Sequence, residues 1–504
     1  MQSTQLVGDA KKEWAKTWLK KERKNLYIGG KWQESSDPSN VTRSINPANG
    51  EVIGDIQEAS AKDVDRAVEA ARAAFYSGIW SKMPRRERSG YLNKFADIIR
   101  EHRTELATLE ALDNGKLYSE AFNDDIPECA DVLDYYAGWT DKHYSETCPV
   151  DDGFINYTVR EPLGVCALIV PWNFPLLMAV WKIAPALAMG NTVIVKPSPF
   201  TSMSCIRLFE LIEEKLDLPP GVVNLVTGGS QAGQYLCEHD GVAKVSFTGS
   251  TATGKKVVGS SAASNLKSVS LELGGKSPNI IFEDVPDLEF AIERSFGAMF
   301  SHKGEKCSEP TRFFIHKKHH DHFLSELVQM AEKVQCGSQF DAKASQGAQC
   351  NQMQFEKIMK YIELGKEEGG NIVAGGERDT EGDNSKGFFV RPTIFTDLDN
   401  KMKVSQDEIF GPVLVVIPFE DEEHVIEMAN DTIYGLAAGL WTSDLSRAHR
   451  VAGALDAGMV FINRYGCYDF SSPFGGFKQS GWGKDMAVHS LDAYTKLKSI
   501  WLKL

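Results

Sequence analysis

The sequence predicts an α/β protein: a doubly wound parallel sheet, a second α/β unit and a small β ribbon. Three observations lead there. Short apolar runs of strand type alternate with helical stretches through the first half, the pattern of strands joined by crossover helices. A second series of the same kind starts at Pro278 and runs to Ile462. At 504 residues the chain exceeds what one core supports, so two or three domains are expected.

Taken in order, Leu26–Trp32 reads as two short strands around the Gly29-Gly30 turn, and Asn46–Gly50 is a turn cluster before the strand-like run Val52–Ile56. Val64, Ala67, Val68 and Ala71 recur at helical spacing, predicting a helix over 61–75; a similar stripe predicts one helix over 85–115. Gly164–Val170 is a mostly apolar strand, followed by a turn at Asn173 and a helix around Trp181. Thr192–Lys196 is another buried strand, with a helix over 202–216 behind it. Val222–Val226, Lys244–Phe247 and Val269–Glu272 repeat the pattern. The second series comprises Pro278–Phe282, Phe313–His316, Asn371–Val373, Val413–Ile417 and Met459–Ile462, so Leu273–Lys276 is the expected domain boundary. Tyr157–Arg160 and Thr495–Leu504 read as edge strands outside both sheets.

Composition excludes several classes. A formal charge of −14 argues against a nucleic-acid partner and gives no attraction to an anionic membrane. The longest apolar run, 164–189, is interrupted by Asn173, Lys182 and three prolines and is no membrane span. Nine cysteines without paired spacings read as reduced thiols, which points to the cytoplasm. The basic stretch 11–24 carries Glu13 and Glu22, with Asp9 just before it; a transit peptide avoids acids, so an amphipathic or frayed helix is expected instead.

Three residues carry candidate chemistry. Cys307 can attack a carbonyl, and Glu272, thirty-five residues earlier, can activate water against the resulting thioester. Asn173 sits between prolines and aromatics in Val170-Pro-Trp-Asn-Phe-Pro175, where its amide can donate to a developing oxyanion. Singly, each has a plainer reading: a small buried thiol, a solvated strand end, a rigid turn.

Together these runs resemble the aldehyde dehydrogenase superfamily. The resemblance continues through Lys196-Pro-Ser-Pro199, Phe247-Thr-Gly-Ser-Thr-Ala-Thr-Gly254, Glu408-Ile-Phe-Gly-Pro412 and Pro473–Gly481, in order, from about Asn25 to the C-terminus. The nearest branches are the class 1/2 and the betaine- and aminoaldehyde enzymes. The resemblance implies NAD(P)-dependent oxidation of an aldehyde to a carboxylic acid through a cysteine thiohemiacetal and thioester. It implies an N-terminal extension (1–24), a Rossmann-like cofactor domain (25–140 and 163–273), a catalytic domain (274–480) and oligomerisation segments (141–162 and 490–504) of a homodimer or homotetramer. Cys307, Glu272 and Asn173 then act on the aldehyde, with Lys182 and Asp485 as a proton route. Trp172, Lys196, Gly249, Ser250, Glu408 and Phe410 would hold the cofactor, and Glu128, Phe174, Met178, Trp181, Tyr468 and Phe474 would line the substrate tunnel. No metal is implied.

The chain also departs from the family pattern. Where relatives place a Glu that accepts both adenosine ribose hydroxyls, this chain has Pro199, so NAD is expected with NADP possible. Relatives carry Gly-Gln-x-Cys; here it is Gly304-Glu-Lys-Cys307. Lys306 is expected either to lower the thiol pKa or to pair with Glu305. Ser308 replaces a second thiol. Asp485 replaces a longer Glu, which leaves the proton route in question. The run His316-Lys-Lys-His-His-Asp-His322 invites a metal reading, but a strand running into a charged helix accounts for it. Aromatic tunnel walls suit a hydrophobic or aryl aldehyde, whereas Asp124, Asp125 and Glu128 at the mouth suit a cationic aminoaldehyde. Two alternatives stand beside this reading. A CoA-acylating relative characteristically lacks the base at Glu272, and a recruited structural protein of the crystallin type has no need of Cys307, Glu272 and Asn173 together.

Overall fold

The computed structural model describes residues 13–20 and 24–504. Most of the expected extension, including 1–12 and 21–23, lies outside them; residues 13–19 are helical and bury Ala15 and Trp18.

The first sheet has eight strands. Its centre is parallel, in the spatial order Val223–Leu225, Thr192–Lys196, Val165–Ile169, Lys244–Thr248, Ser268–Glu272. The chain lays down Val165–Ile169 first, adds two strands on one side, then returns to add Lys244–Thr248 on the other. The strand order therefore reverses between Val165–Ile169 and Lys244–Thr248, and in such sheets ligands bind beyond the strand carboxyl ends at that switch point. Antiparallel strands close both edges: Leu26–Ile28 with Lys31–Gln33 at one, Gly481–Trp482 at the other. Helix Pro175–Ala188 starts with Pro at its first position and is buried along its whole length.

The second sheet has seven strands, parallel except for the edge strand Asn371–Ala374. Thr393–Thr396 and Ala437–Trp441 belong to it and were not expected. Ala437-Ala-Gly-Leu-Trp441 offers no β-branched residue, so its strand state comes from its place between two strands rather than from propensity.

Two expectations need correction. The single helix over 85–115 is two, Arg85–Glu101 and Arg103–Asn114, because His102 leaves helical geometry (φ −103°, ψ 16°) and its N–H turns back to the Ile98 and Arg100 carbonyls. The apolar spacing hides the break in the sequence, because Ile99 and Leu106 on either side of it lie a heptad apart. Tyr157–Arg160 is no edge: Phe154–Pro162 is the middle of a three-stranded sheet, paired with Thr495–Lys503 along its full length and with Thr147–Cys148 on its other side.

Candidate active site

The strand register explains how distant motifs meet. Ile169 pairs with Lys196, and Thr248 pairs with Glu272, so four adjacent strands end on one edge. Lys196, the Pro171–Phe174 turn, Gly249-Ser250 and Glu272 all emerge there. Beyond this edge lies a cavity of about 540 Å³. Cys307 and Asn173 line it, as do Trp172, Gly249, Ser250, Glu408 and Phe410. So do the six tunnel positions, Glu128, Phe174 and Met178 with Trp181, Tyr468 and Phe474. Glu272, Lys182, Asp485 and Lys196 are not in its wall; all four are buried behind it.

Cys307 is half-buried and reduced. Burial pushes its thiol pKa well up, and the carboxylates of Glu272 and Glu408 push it further. Neither expectation for Lys306 holds. Its ammonium turns away to donate to the Ala298 carbonyl (2.9 Å) and Ser301 Oγ (2.5 Å), and it lies 3.7 Å from Glu309. Glu305 pairs instead with Lys303 at 2.8 Å. Neighbours in sequence point apart here, because the loop turns sharply through His302, Lys303 and Gly304, all at positive φ.

Glu272 is raised well above the usual carboxylate range, by burial first and then by the Asp485 carboxylate. The close approach of Gly475 leaves it space: a Cβ there would sit 2.6 Å from Glu272 Oε1. Asp485 is long enough after all to reach Lys182, at 2.6 Å. Its backbone is fixed by paired hydrogen bonds with Phe474.

The groove toward the second strand edge is built mostly from backbone and small residues. Ser250 caps helix Thr251–Ala263, accepting from the Thr253 N–H (3.3 Å) and donating to Thr253 Oγ1 (3.0 Å). A Cβ on Gly249 would meet the Phe247 ring at 2.6 Å. An exposed helix N-terminus with this cap fits a pyrophosphate. Glu408 accepts from the Gly275 N–H at 3.0 Å, and Phe410 meets Trp172 edge-on at 5.2 Å. Burial lowers the Lys196 pKa to about 8 while Glu58 opposes the shift, and its ammonium donates to the Pro197 carbonyl at 3.0 Å.

In the tunnel, Phe474 packs against Trp181 (5.2 Å) and Tyr468 (5.9 Å), and the Tyr468 hydroxyl meets Ser308 Oγ at 2.7 Å. Burial, then Asp125, pushes the Glu128 carboxyl up to about 7.

Sequence reasoning missed several residues. Asn114 donates to the Trp172 carbonyl at 2.7 Å and so braces the Asn173 turn. His302 meets Phe174 at a tilt, ring centroids 4.8 Å apart, and both line the cavity. Glu58 places a carboxylate beside Lys196. Only His302 had a signal, its closeness to Cys307. The His316–His322 run is a strand end leading into helix Lys317–Glu332, with His319 on the Glu283 carbonyl and His322 on Glu289.

Comparison with known proteins shows the family. The aldehyde dehydrogenase family model matches residues 32–500. A putative aldehyde dehydrogenase of Bacillus subtilis, DhaS, is 45% identical over 95% of this chain and 96% of its own length. The human mitochondrial aldehyde dehydrogenase is 42% identical over 95% of this chain and 92% of its own. Among solved structures, an NAD+ complex of a Bacillus cereus aldehyde dehydrogenase superposes with a TM-score of 0.93 at 45% identity, covering 96% of this chain and 97% of that one. The chain belongs to the aldehyde dehydrogenase family and is an enzyme that oxidises an aldehyde to a carboxylic acid.

Proposed function

We propose that Cys307 is the nucleophile, Glu272 the hydrolytic base and Asn173 the oxyanion donor, with NAD+ as cofactor. One observation carries the reading. Cys307 and Asn173 share a cavity at the sheet switch point, and Glu272 is the charge that acts most strongly on the thiol. Cys307 loses its proton to solvent and its sulfur attacks the carbonyl carbon. The Asn173 amide and the Cys307 N–H hold the resulting oxyanion. NAD+ bound in this groove would supply the hydride acceptor for the thiohemiacetal carbon, whose oxidation leaves a thioester on Cys307. Glu272 then takes a proton from water, whose oxygen adds to the thioester carbon; the C–S bond breaks, freeing the acid and the thiolate. The Lys182–Asp485 pair behind Glu272 supports the proton's departure. Burial, then the Asp485 carboxylate, raises the Glu272 pKa, which suits a group that must take a proton from water.

The Gly249-Ser250 turn and the helix it opens hold the pyrophosphate, Glu408 and Phe410 hold the nicotinamide ribose and ring, and Lys196 meets the adenosine ribose. The NAD+ complex of the Bacillus cereus relative supports NAD+. With Pro199 in place of a carboxylate, NADP is a weaker second cofactor, and Glu58 supplies part of the lost charge. Residues 25–140 and 163–273 form the cofactor unit and 274–480 the catalytic unit. Phe154, Tyr157, Trp501 and Leu504 leave the three-stranded ribbon with an exposed apolar rim, which supports a homodimer or homotetramer. Nine free cysteines support a reducing compartment such as the cytoplasm. Glu272 in place favours hydrolysis over acyl transfer to CoA.

The test is NADH and NADPH formation across aliphatic, aryl and amino aldehydes. Cofactor reduction with stoichiometric acid is expected. No reduction with any aldehyde, or release of an acyl-CoA in place of acid, overturns it.

A further inference from the structure

The departure Gly304-Glu-Lys-Cys307 hides a closed circuit. The Lys303 ammonium donates to the Asn114 carbonyl (2.9 Å) and Asn114 Oδ1 (3.0 Å) and forms an ion pair with Glu305 Oε2 at 2.8 Å. Asn114 Nδ2 in turn donates to the carbonyls of Trp172 (2.7 Å) and Asn173 (3.4 Å). Asn173 Nδ2 donates to the Glu305 carbonyl at 2.9 Å, and Glu305 Oε1 accepts from the Cys350 N–H at 3.1 Å. Every member is buried: Asn114, Asn173, Lys303 and Glu305 are each at most 7% exposed.

We propose that the buried Lys303–Glu305 pair, closed through Asn114 and the Asn173 turn, positions the Asn173 amide relative to Cys307; both residues are positioning residues. This rests on the oxyanion role of Asn173 given above.

Three features support it. The Asn173 amide has two N–H groups, and anchoring one on the Glu305 carbonyl fixes the direction of the other. Glu305 lies two residues before Cys307, so the same short segment sets the amide and the nucleophile. His302 and Lys303 hold left-handed φ values of 50° and 63°, a conformation that persists only where the surroundings impose it. The ammonium at the end of helix Arg103–Asn114 is one such constraint, since a cation is favoured at a helix carboxyl end. Gly304 is another, pressed so closely on the Gly411-Pro412 backbone that a Cβ would collide with it.

Removing one partner strands a buried charge, so single variants test folding as much as positioning. Two double variants separate them. Lys303→Leu with Glu305→Leu removes the charges and the bridge while filling the space. Lys303→Gln with Glu305→Gln removes the charges but keeps groups that can bridge. The leucine pair is expected to lower kcat on the order of 10²-fold, the scale of a lost oxyanion donor, with NAD+ affinity and melting temperature near wild type. The glutamine pair is expected to stay within about tenfold of wild type in kcat. A leucine pair that keeps kcat within about threefold, or that loses cofactor binding and melting temperature along with kcat, overturns the proposal. Asn173→Ala, assayed alongside, tells the two failures apart. Full kcat in that variant sinks the oxyanion role and the circuit's purpose with it; a large loss there beside an unaffected leucine pair sinks the circuit alone.

Discussion

The turn Phe247–Gly254 and the loop Phe300–Arg312 face one cavity but are built in opposite ways. The first works through small residues: Gly249 tight against the Phe247 ring, Ser250 capping a helix, backbone N–H groups left to meet a ligand. The second works through buried charge: Lys303 on Glu305, Lys306 near Glu309, and a thiol pressed upward in pKa by burial and then by Glu272 and Glu408. A backbone site tolerates exposure and depends little on pH. A charged, buried site is strong only while every partner is present. Substitutions in the loop should therefore strike turnover and spare cofactor binding, and those at the cofactor edge should do the reverse.

The sharpest break is Cys307→Ala, which should abolish oxidation while cofactor binding, followed by fluorescence titration, stays near wild type. Substantial residual turnover would move the nucleophile elsewhere. Next is Glu272→Gln: an initial burst of reduced cofactor should survive while steady-state turnover falls roughly 10²–10⁴-fold, because the thioester forms and then waits for water. Stopped-flow absorbance reads both phases, and a steady state at the wild-type rate would assign the base to another group. Asn173→Ala should cost about 3–4 kcal/mol of transition-state stabilisation, as does loss of an oxyanion donor. A change in kcat below about threefold would leave Asn173 with a structural role only.

Smaller effects belong to the cofactor edge. Pro199→Glu should favour NAD over NADP by about tenfold or more, since charge-assisted bonds to ribose hydroxyls contribute about 1.5–3 kcal/mol each. Pro199→Gln separates charge from relief of the proline turn. Wild-type discrimination against NADP beyond about a thousandfold would mean that other residues set the preference. Smallest is the pH effect at Lys196. Its pKa is lowered to about 8, so the ammonium is charged below that value and neutral above it. The NADP to NAD ratio of kcat/KM should therefore fall as pH rises from 7 to 9, by up to about tenfold, the worth of one charge-assisted bond. A ratio that rises or stays flat would remove Lys196 from the 2′-phosphate.

The same contrast accounts for what the sequence made legible. Motifs with backbone logic and strand ends read directly, because residue type and period fix them: Thr192–Lys196, Lys244–Phe247 and the turn after each were visible, and the register then brought them together. Ala437–Trp441 was not, since only its flanking strands make it one. The break at His102 was hidden because the apolar spacing resumes in register after it, from Ile99 to Leu106. Lys303, Asn114 and Glu58 were hidden for a different reason. A lysine, an amide or a carboxylate is solvated by default, and only the tertiary fold shows that these three sit out of water or beside a buried partner. Lys306 misled on the same ground: adjacency suggested a partner that a left-handed turn took away.

The strand Gly481–Trp482 has a further consequence. It carries the chain back from the second sheet to lie beside Glu272, and Asp485 follows at once. The hydroxyl of Tyr136 then tethers this stretch, donating to the Ala487 carbonyl at 3.0 Å and meeting Ser490 Oγ at 2.7 Å. After one short helix, His489–Asp492, the same stretch becomes the outer strand of the ribbon. One short stretch of chain thus carries both the carboxylate that presses on Glu272 and the outer strand of the ribbon, so a substitution that shifts either end is transmitted through fewer than twenty residues of backbone.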